Sequence, residues 1–362
     1  MDSSSSEDTG GDTQPPGSVC GNGVVEKGEG CDELDRLDED GCNVDCTVSG
    51  SLLWSWDPDR SWVLDLDFDA ADALQVLVGI PGPGLSVQRF DATGEIDGTF
   101  GVTAVERPPG TPEGLPGTIE FAALEARDEG TYVGMYEYWQ SGTEFFVGGH
   151  VEQLGDGGWV RPVEGGVQSL GPREGGGVIA VSSDDVVHAF DADGAEAWAV
   201  EPGGGLRSDT LLAEGAVVVV AVDRVVGLDD ATGAELWSFV EPAVDIIFYR
   251  ASRSADEIWA FGQAYPFTDE VSMFRLGLDG SRIEHIEAAS MGSWHQMTWS
   301  GNVAWLRSQE AGRPELLEKL GADFEPLWAH EVGYGDDWRN LAVDTRGTVA
   351  AASRSQVQVL AP

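Results

Sequence analysis

Cysteine is missing from the last 316 residues of this 362-residue chain: Cys20, Cys31, Cys42 and Cys46 all fall within 27 residues near the start. Lysine is nearly missing too. Arginine supplies 18 of the 20 basic residues, against 64 acidic ones, for a formal net charge of −44. A chain so short of positive charge repels phosphate backbones and anionic headgroups, which argues against nucleic acid and membrane surfaces as partners. No run approaches the ~20 apolar residues that a membrane-spanning helix needs. Histidine is scarce and scattered, at His150, His188, His285, His295 and His330, and no pair has metal-ligand spacing. No G-x-S-x-G, H-E-x-x-H or phosphate-loop motif occurs, so no catalytic centre emerges.

What is present points to an all-β chain. Glycine is abundant, at 49 residues, and short apolar runs are rich in Val, Ile, Trp and Phe. From residue 51 one pattern returns: a β-rich run, Asp, one or two residues, Gly, then a short strand often centred on Trp. FDADGAEAWAV (190–200), LDDATGAELWSF (228–239) and FDATGEIDGTF (90–100) are its clearest copies, with weaker ones at 153–163, 276–286 and 320–330. Gly supplies φ > 0 in a tight turn and Asp caps the turn through its side chain. Taking Gly94, Gly157, Gly194, Gly233, Gly280 and Ala322 as markers, the intervals are 63, 37, 39, 47 and 42 residues. All but the first suit a four-stranded propeller blade. The first is long enough for an insertion, placed in RPPGTPEGLPG (107–117).

The two ends suggest closure. The last unit, GTVAAASRSQVQVLAP, has three strands and lacks its Trp-bearing fourth, while SLLWSW (51–56) lines up with AELWSF (234–239). An N-terminal strand that completes the last blade removes the open sheet edges. The expectation is a single propeller over 51–362, of seven four-stranded blades closed by an N-terminal clasp strand. The phrase VVGLDDATGAELWSF resembles the repeat of quinoprotein-type, WD40-like propellers, a group that includes outer-membrane assembly scaffolds. That resemblance specifies fold rather than chemistry. A quinone-dependent oxidoreductase on this fold would need a stacking platform, a bound Ca²⁺ and, in many members, adjacent cysteines, and none follow Cys46. That enzyme, or a carbohydrate lyase, is the competing reading.

Residues 1–19 are Ser, Asp, Gly and Pro with nothing to bury, the composition of a disordered tether. The stretch lacks the basic start and apolar core of a signal peptide and looks like the tether behind the lipid-bearing cysteine of a bacterial lipoprotein, which would put the true signal and a lipid anchor upstream. Between Cys20 and Cys46 only five aliphatic side chains are available, Val24, Val25, Leu34, Leu37 and Val44, too few to offset the chain entropy. Two disulfides would supply the missing stability, with three pairings open. They are preferred to zinc because tight C-x2-C pairs are absent. Disulfides place the protein outside the reducing cytoplasm. CGNGVVEKGEGCD followed by DEDGCNVDC resembles the cysteine-rich repeat of myxobacterial secreted and surface proteins, over residues 20–47. Asp32, Asp35, Asp38 and Asp40 could gather a Ca²⁺ there, although solvated acids on a cross-linked loop are preferred. No other cofactor is expected.

DLDFDAAD (65–72) invites a second calcium reading, but Leu66 and Phe68 alternate with the acids at strand period and the turn Gly of a calcium loop is missing. A strand with one polar face is preferred. Trp62, Trp294 and Trp338 stand at equivalent unit starts, with His295 and Arg339 beside the last two. Loops entering the innermost strands face one end of a propeller, so these five residues form the candidate binding face, although packing of each Trp between blades is the preferred reading. The expected function is extracytoplasmic binding or scaffolding at the bacterial surface, by a monomer docking an envelope protein or polysaccharide.

Overall fold

β-Branched residues are stiff at χ1 and favour the pleated backbone, and the Val- and Ile-rich runs fold as strands; no helix occurs among the described residues. The computed structural model describes residues 31, 43, 47–59, 61–80, 84–102, 117–128, 130–242, 245–254, 256–265, 271–288, 293–300, 302–308, 315–320, 326–333 and 340–362. The chain divides into two units, 1–49 and 50–362. In the first, Cys31 is disulfide-bonded. Asn43 fastens the approach to Ser49: its Nδ2 donates to Thr47 Oγ1 at 2.8 Å and its Oδ1 accepts from Ser49 Oγ at 3.0 Å. Cys20, Cys42, Cys46 and the candidate calcium ligands Asp32, Asp35, Asp38 and Asp40 lie outside the described residues.

The second unit is a β-propeller. Its strands, numbered β1 to β28 along the chain, form seven four-stranded antiparallel sheets among the described residues. Six are consecutive quartets that begin at β2 (Trp62–Phe68), β6 (Gly117–Arg127), β10 (Val167–Pro172), β14 (Leu206–Ala213), β18 (Ile246–Ser254) and β22 (Ser293–Ser300). The seventh joins β26 (Asn340–Val343), β27 (Val349–Ala352) and β28 (Val357–Leu360) to β1 (Leu52–Trp56), with Trp54 opposite Val359 and Trp56 opposite Val357. First strands meet first strands around the axis: β2 touches β6, β6 touches β10, and the series runs on through β26, which touches β2. Between sheets the filling is aliphatic. Ile179, Val181, Val217, Val219 and Val226, for example, are all fully buried in one cluster.

The Asp-turn-Gly signature has two causes here. Asp91 accepts the N–H groups of Thr93 and Glu95 at 2.9 and 3.0 Å, and Gly94 that follows has φ +81°. The glycine is also where the neighbouring sheet's tryptophan lands. Trp54 packs on Gly94, Trp159 on Gly194, Trp198 on Gly233 and Trp237 on Gly280. A Cβ at Gly94 or Gly233 would come within 2.7 Å of the indole above it. Two of these indoles also donate to the turn, Trp159 Nε1 to Ala192 O at 3.0 Å and Trp198 Nε1 to Asp230 O at 2.7 Å. Trp54, Trp159, Trp198 and Trp237 therefore each stitch their sheet to the turn of the next.

Candidate functional site

The antiparallel order fixes what each end of the propeller carries. The starts of the first strands share one end with the turns between second and third strands; the ends of the first strands occupy the other.

At the first end, Trp62 opens β2, lies over Gly79 of β3 (Leu74–Ile80) and stays 38% exposed. Trp294 and His295 are the second and third residues of β22, with their side chains outside the described set. Trp338 and Arg339 lie outside the described residues, immediately before β26. Since β22, β26 and β2 are successive first strands, the starts of three neighbouring sheets share one end, and of the five candidate residues Trp62 is the one whose side chain is described there. Sequence reasoning missed two further aromatics on that end. Phe145, just past the turn between β7 (Gly130–Ser141) and β8 (Glu144–Leu154), is 65% exposed, and Tyr265, just past β19 (Glu257–Ala264), is 57% exposed. Neither belongs to a repeated motif, so nothing in the pattern marked them.

At the second end, the turns after β2, β6 and β26 converge on a cleft of about 330 Å³, whose lining includes Asp67, Asp69, Asp72, Glu125, Arg127 and Asp344. Most of its charges are paired. Arg89 Nε donates to Asp69 at 2.7 Å, Arg127 Nε to Glu125 at 2.6 Å, and Arg346 Nη2 to Asp344 at 2.8 Å. Burial alone would raise Asp69, yet Arg89 and the turn N–H groups hold its carboxyl below the usual range.

The acids of β2 show what the DLDFD alternation is for. Asp65 Oδ2 accepts the N–H of Leu124 and Asp67 Oδ2 that of Ala126, each at 2.8 Å. Both donors belong to β6, whose side facing β2 has no strand ladder. The two carboxylates therefore satisfy edge N–H groups of the neighbouring sheet, which a period-two row of acids is spaced to do. The arrangement strains their ionisation. Burial pushes Asp65 up to about 7 against the pull of the Leu124 and Leu66 N–H groups and of Arg250. Burial, with Glu125 nearby, also raises Asp67. This is a stitch between blades, and among the described residues no group of three or more His, Cys, Asp or Glu side chains is placed to hold a metal ion. The histidines belong to the sheets: His188 Nδ1 meets Glu196 at 2.8 Å, and His285 stacks on Phe274 at 4.4 Å.

Comparison with known proteins agrees with this architecture. A family model described as outer membrane protein assembly factor BamB matches residues 137–289, within the propeller. No curated protein sequence matches the chain. Among solved structures, BamB from Moraxella catarrhalis superposes with a TM-score of 0.53 at 14% identity, covering 86% of this chain and all of that one. In all 933 solved chains match, so many proteins share the fold and function must come from particular residues.

Proposed function

We propose that the protein is an extracytoplasmic docking scaffold rather than an enzyme, and that it takes a protein partner on the end of the propeller where the first strands start. The carrying observation is the set of large aromatics left exposed there, Trp62, Phe145 and Tyr265, on a chain whose charge otherwise keeps it in water. Exposed Trp and Tyr supply rigid contact area at low entropic cost, which makes them usual anchors of protein interfaces. On this reading Trp294, His295, Trp338 and Arg339, which stand at unit starts in the sequence, would add to the same face. The disulfide at Cys31 supports an oxidising compartment. The matched family's description, an assembly factor of outer membrane proteins, supports a role in holding other envelope proteins.

Site-specific photo-cross-linking in envelope extract tests the reading. A benzophenone side chain at position 62 or 265 should yield a discrete protein adduct, while the same group at 128 or 345, beside the acidic cleft, should not. Adducts from the cleft positions only, or from none of the four, would overturn it.

A further inference from the structure

One sheet departs from the repeat. Elsewhere the outer strand is about as long as the strand it pairs with: β4 (Gly84–Phe90) and β5 (Ile96–Gly101) have 7 and 6 residues, and β20 (Val271–Gly277) and β21 (Arg282–Ala288) have 7 each. In the second sheet β8 has 11 residues and β9 (Val160–Val163) only 4. Their pairing runs from Gly149 opposite Val163 to Glu152 opposite Val160 and no further. On its other side β8 pairs with β7 over its whole length, from Leu154 opposite Thr131 to Glu144 opposite Ser141. Residues 144–148 are therefore a strand paired on one side and open on the other among the described residues.

The direction of the open hydrogen-bonding groups follows from the turn. Gly142 and Thr143 close a two-residue hairpin, so Ser141 and Glu144 face each other as a hydrogen-bonded pair. Glu144, Phe146 and Gly148 spend their main-chain groups on β7. Phe145 and Val147 turn theirs toward the open side, as Gly149 and Val151 do where they meet β9. Their side chains share one face and are 65% and 39% exposed. Natural sheets usually blunt such an edge with lysine, proline or a bulge. The stretch EFFVG has neither lysine nor proline, and β8 runs against β7 without a register shift.

We infer that residues 144–148 are a strand-docking edge, to which an extended segment of a partner protein adds in line with β9. Its apolar side chains, at alternate positions, would lie on Phe145 and Val147, and its flanks would carry Lys or Arg. The basic flanks follow from charge. The chain carries −44, Glu144 and Glu164 are exposed beside the edge, and the nearby Arg161 is spent on Gly194 O at 2.6 Å and on the Trp159 ring. A second copy of the chain would bring the same negative charge to the edge and fits it worse. The inference rests on strand lengths, shares only Phe145 with the aromatic face, and holds whether or not Trp62 and Tyr265 dock anything.

The test uses the full chain and a labelled decapeptide alternating Val with Lys and Thr. Its twin is N-methylated at two consecutive central residues, which keeps the charge and removes an N–H from each strand edge. Fluorescence anisotropy is read at about 150 mM salt, where the Debye length is ~8 Å. The parent peptide should bind, and amide exchange at Phe145 and Val147 should slow on its addition. The methylated twin should bind about tenfold or more weakly, as should the parent peptide with Val147→Pro, which removes an outward N–H and no bond to β7. Phe145→Lys should weaken binding similarly and serves if the proline variant does not fold. Trp62→Ala should leave peptide binding unchanged, which keeps this outcome separate from that of the aromatic end. Equal binding of both peptides would reduce the contact to charge alone and overturn the proposal. So would a dimeric chain whose Phe145 and Val147 amides are already protected without peptide.

Discussion

Replacing Asp65 by Asn should change how stability depends on pH, and the sign runs opposite to ordinary acid unfolding. The folded carboxyl titrates near 7 and its ordinary value is 3.8, so between those limits the folded state holds a proton that the unfolded chain releases. The folded state then binds more protons, and stability falls as pH rises through that window. From about pH 5 to about pH 8 some two units of the shift are traversed, about 2.7 kcal/mol at ~1.36 kcal/mol per unit. Asp65 sits among packed strands yet keeps partial exposure, and water screening lowers the expected loss to about 1–2 kcal/mol. The overall charge of −44 also disfavours the folded state at high pH, but equally in both proteins. Asn is neutral at every pH and can still accept the Leu124 N–H. Urea unfolding at both pH values, followed by tryptophan fluorescence, should therefore show wild type losing about 1–2 kcal/mol more than Asp65→Asn on going to pH 8. A constant gap between the two would refute the assignment of a protonated carboxyl at this stitch.

Two further predictions concern the other stitches. Trp198→Ala removes an indole that is 8% exposed, leaves Asp230 O without its donor and should cost about 3–5 kcal/mol, whereas the exposed Trp62→Ala should cost under about 1.5. Thermal melts of equal size would refute that division. Deleting residues 51–56 removes β1, lifts Trp54 from Gly94 and Phe90, and bares one side of β28; the melting temperature should fall by about 10 °C or more, and a shift of a degree or two would show that β1 contributes little.

The repeat was legible because each cause of the fold writes itself several times. Gly94, Gly194, Gly233 and Gly280 recur for the positive φ of a turn, and the tryptophans recur beside them. Sequence alone could not tell that the two belong together across sheets, since the contact joins residues 35 to 43 positions apart in different repeats. The alternation of Asp65 and Asp67 with Leu66 and Phe68 was legible as a strand. Its purpose was not, because the N–H groups it serves belong to Leu124 and Ala126, 59 residues away. Trp62 could be placed at a unit start, but whether its ring faced solvent or a neighbour depended on Gly79 across the ladder.

The irregular interval carries the most functional information. Between Gly94 and Gly157 the spacing is 63 residues, against 37 to 47 elsewhere; composition points to an insertion at 107–117, of which residues 107–116 lie outside those described. The structure adds a second source: β6, β7 and β8 have 11, 12 and 11 residues, longer than any strand of the other sheets. Length added to inner and middle strands without a matching outer strand cannot improve the ring, because it lengthens no contact that the shorter β9 could share. It creates an open edge and raises Phe145 into solvent, and both cost stability in a monomer left alone. The recurring residues, Gly, Asp and outer-strand Trp, serve the ring. Where a repeat departs from its pattern at a cost to folding, the departure is where a partner should be sought, and in this propeller that is the hairpin of β7 and β8.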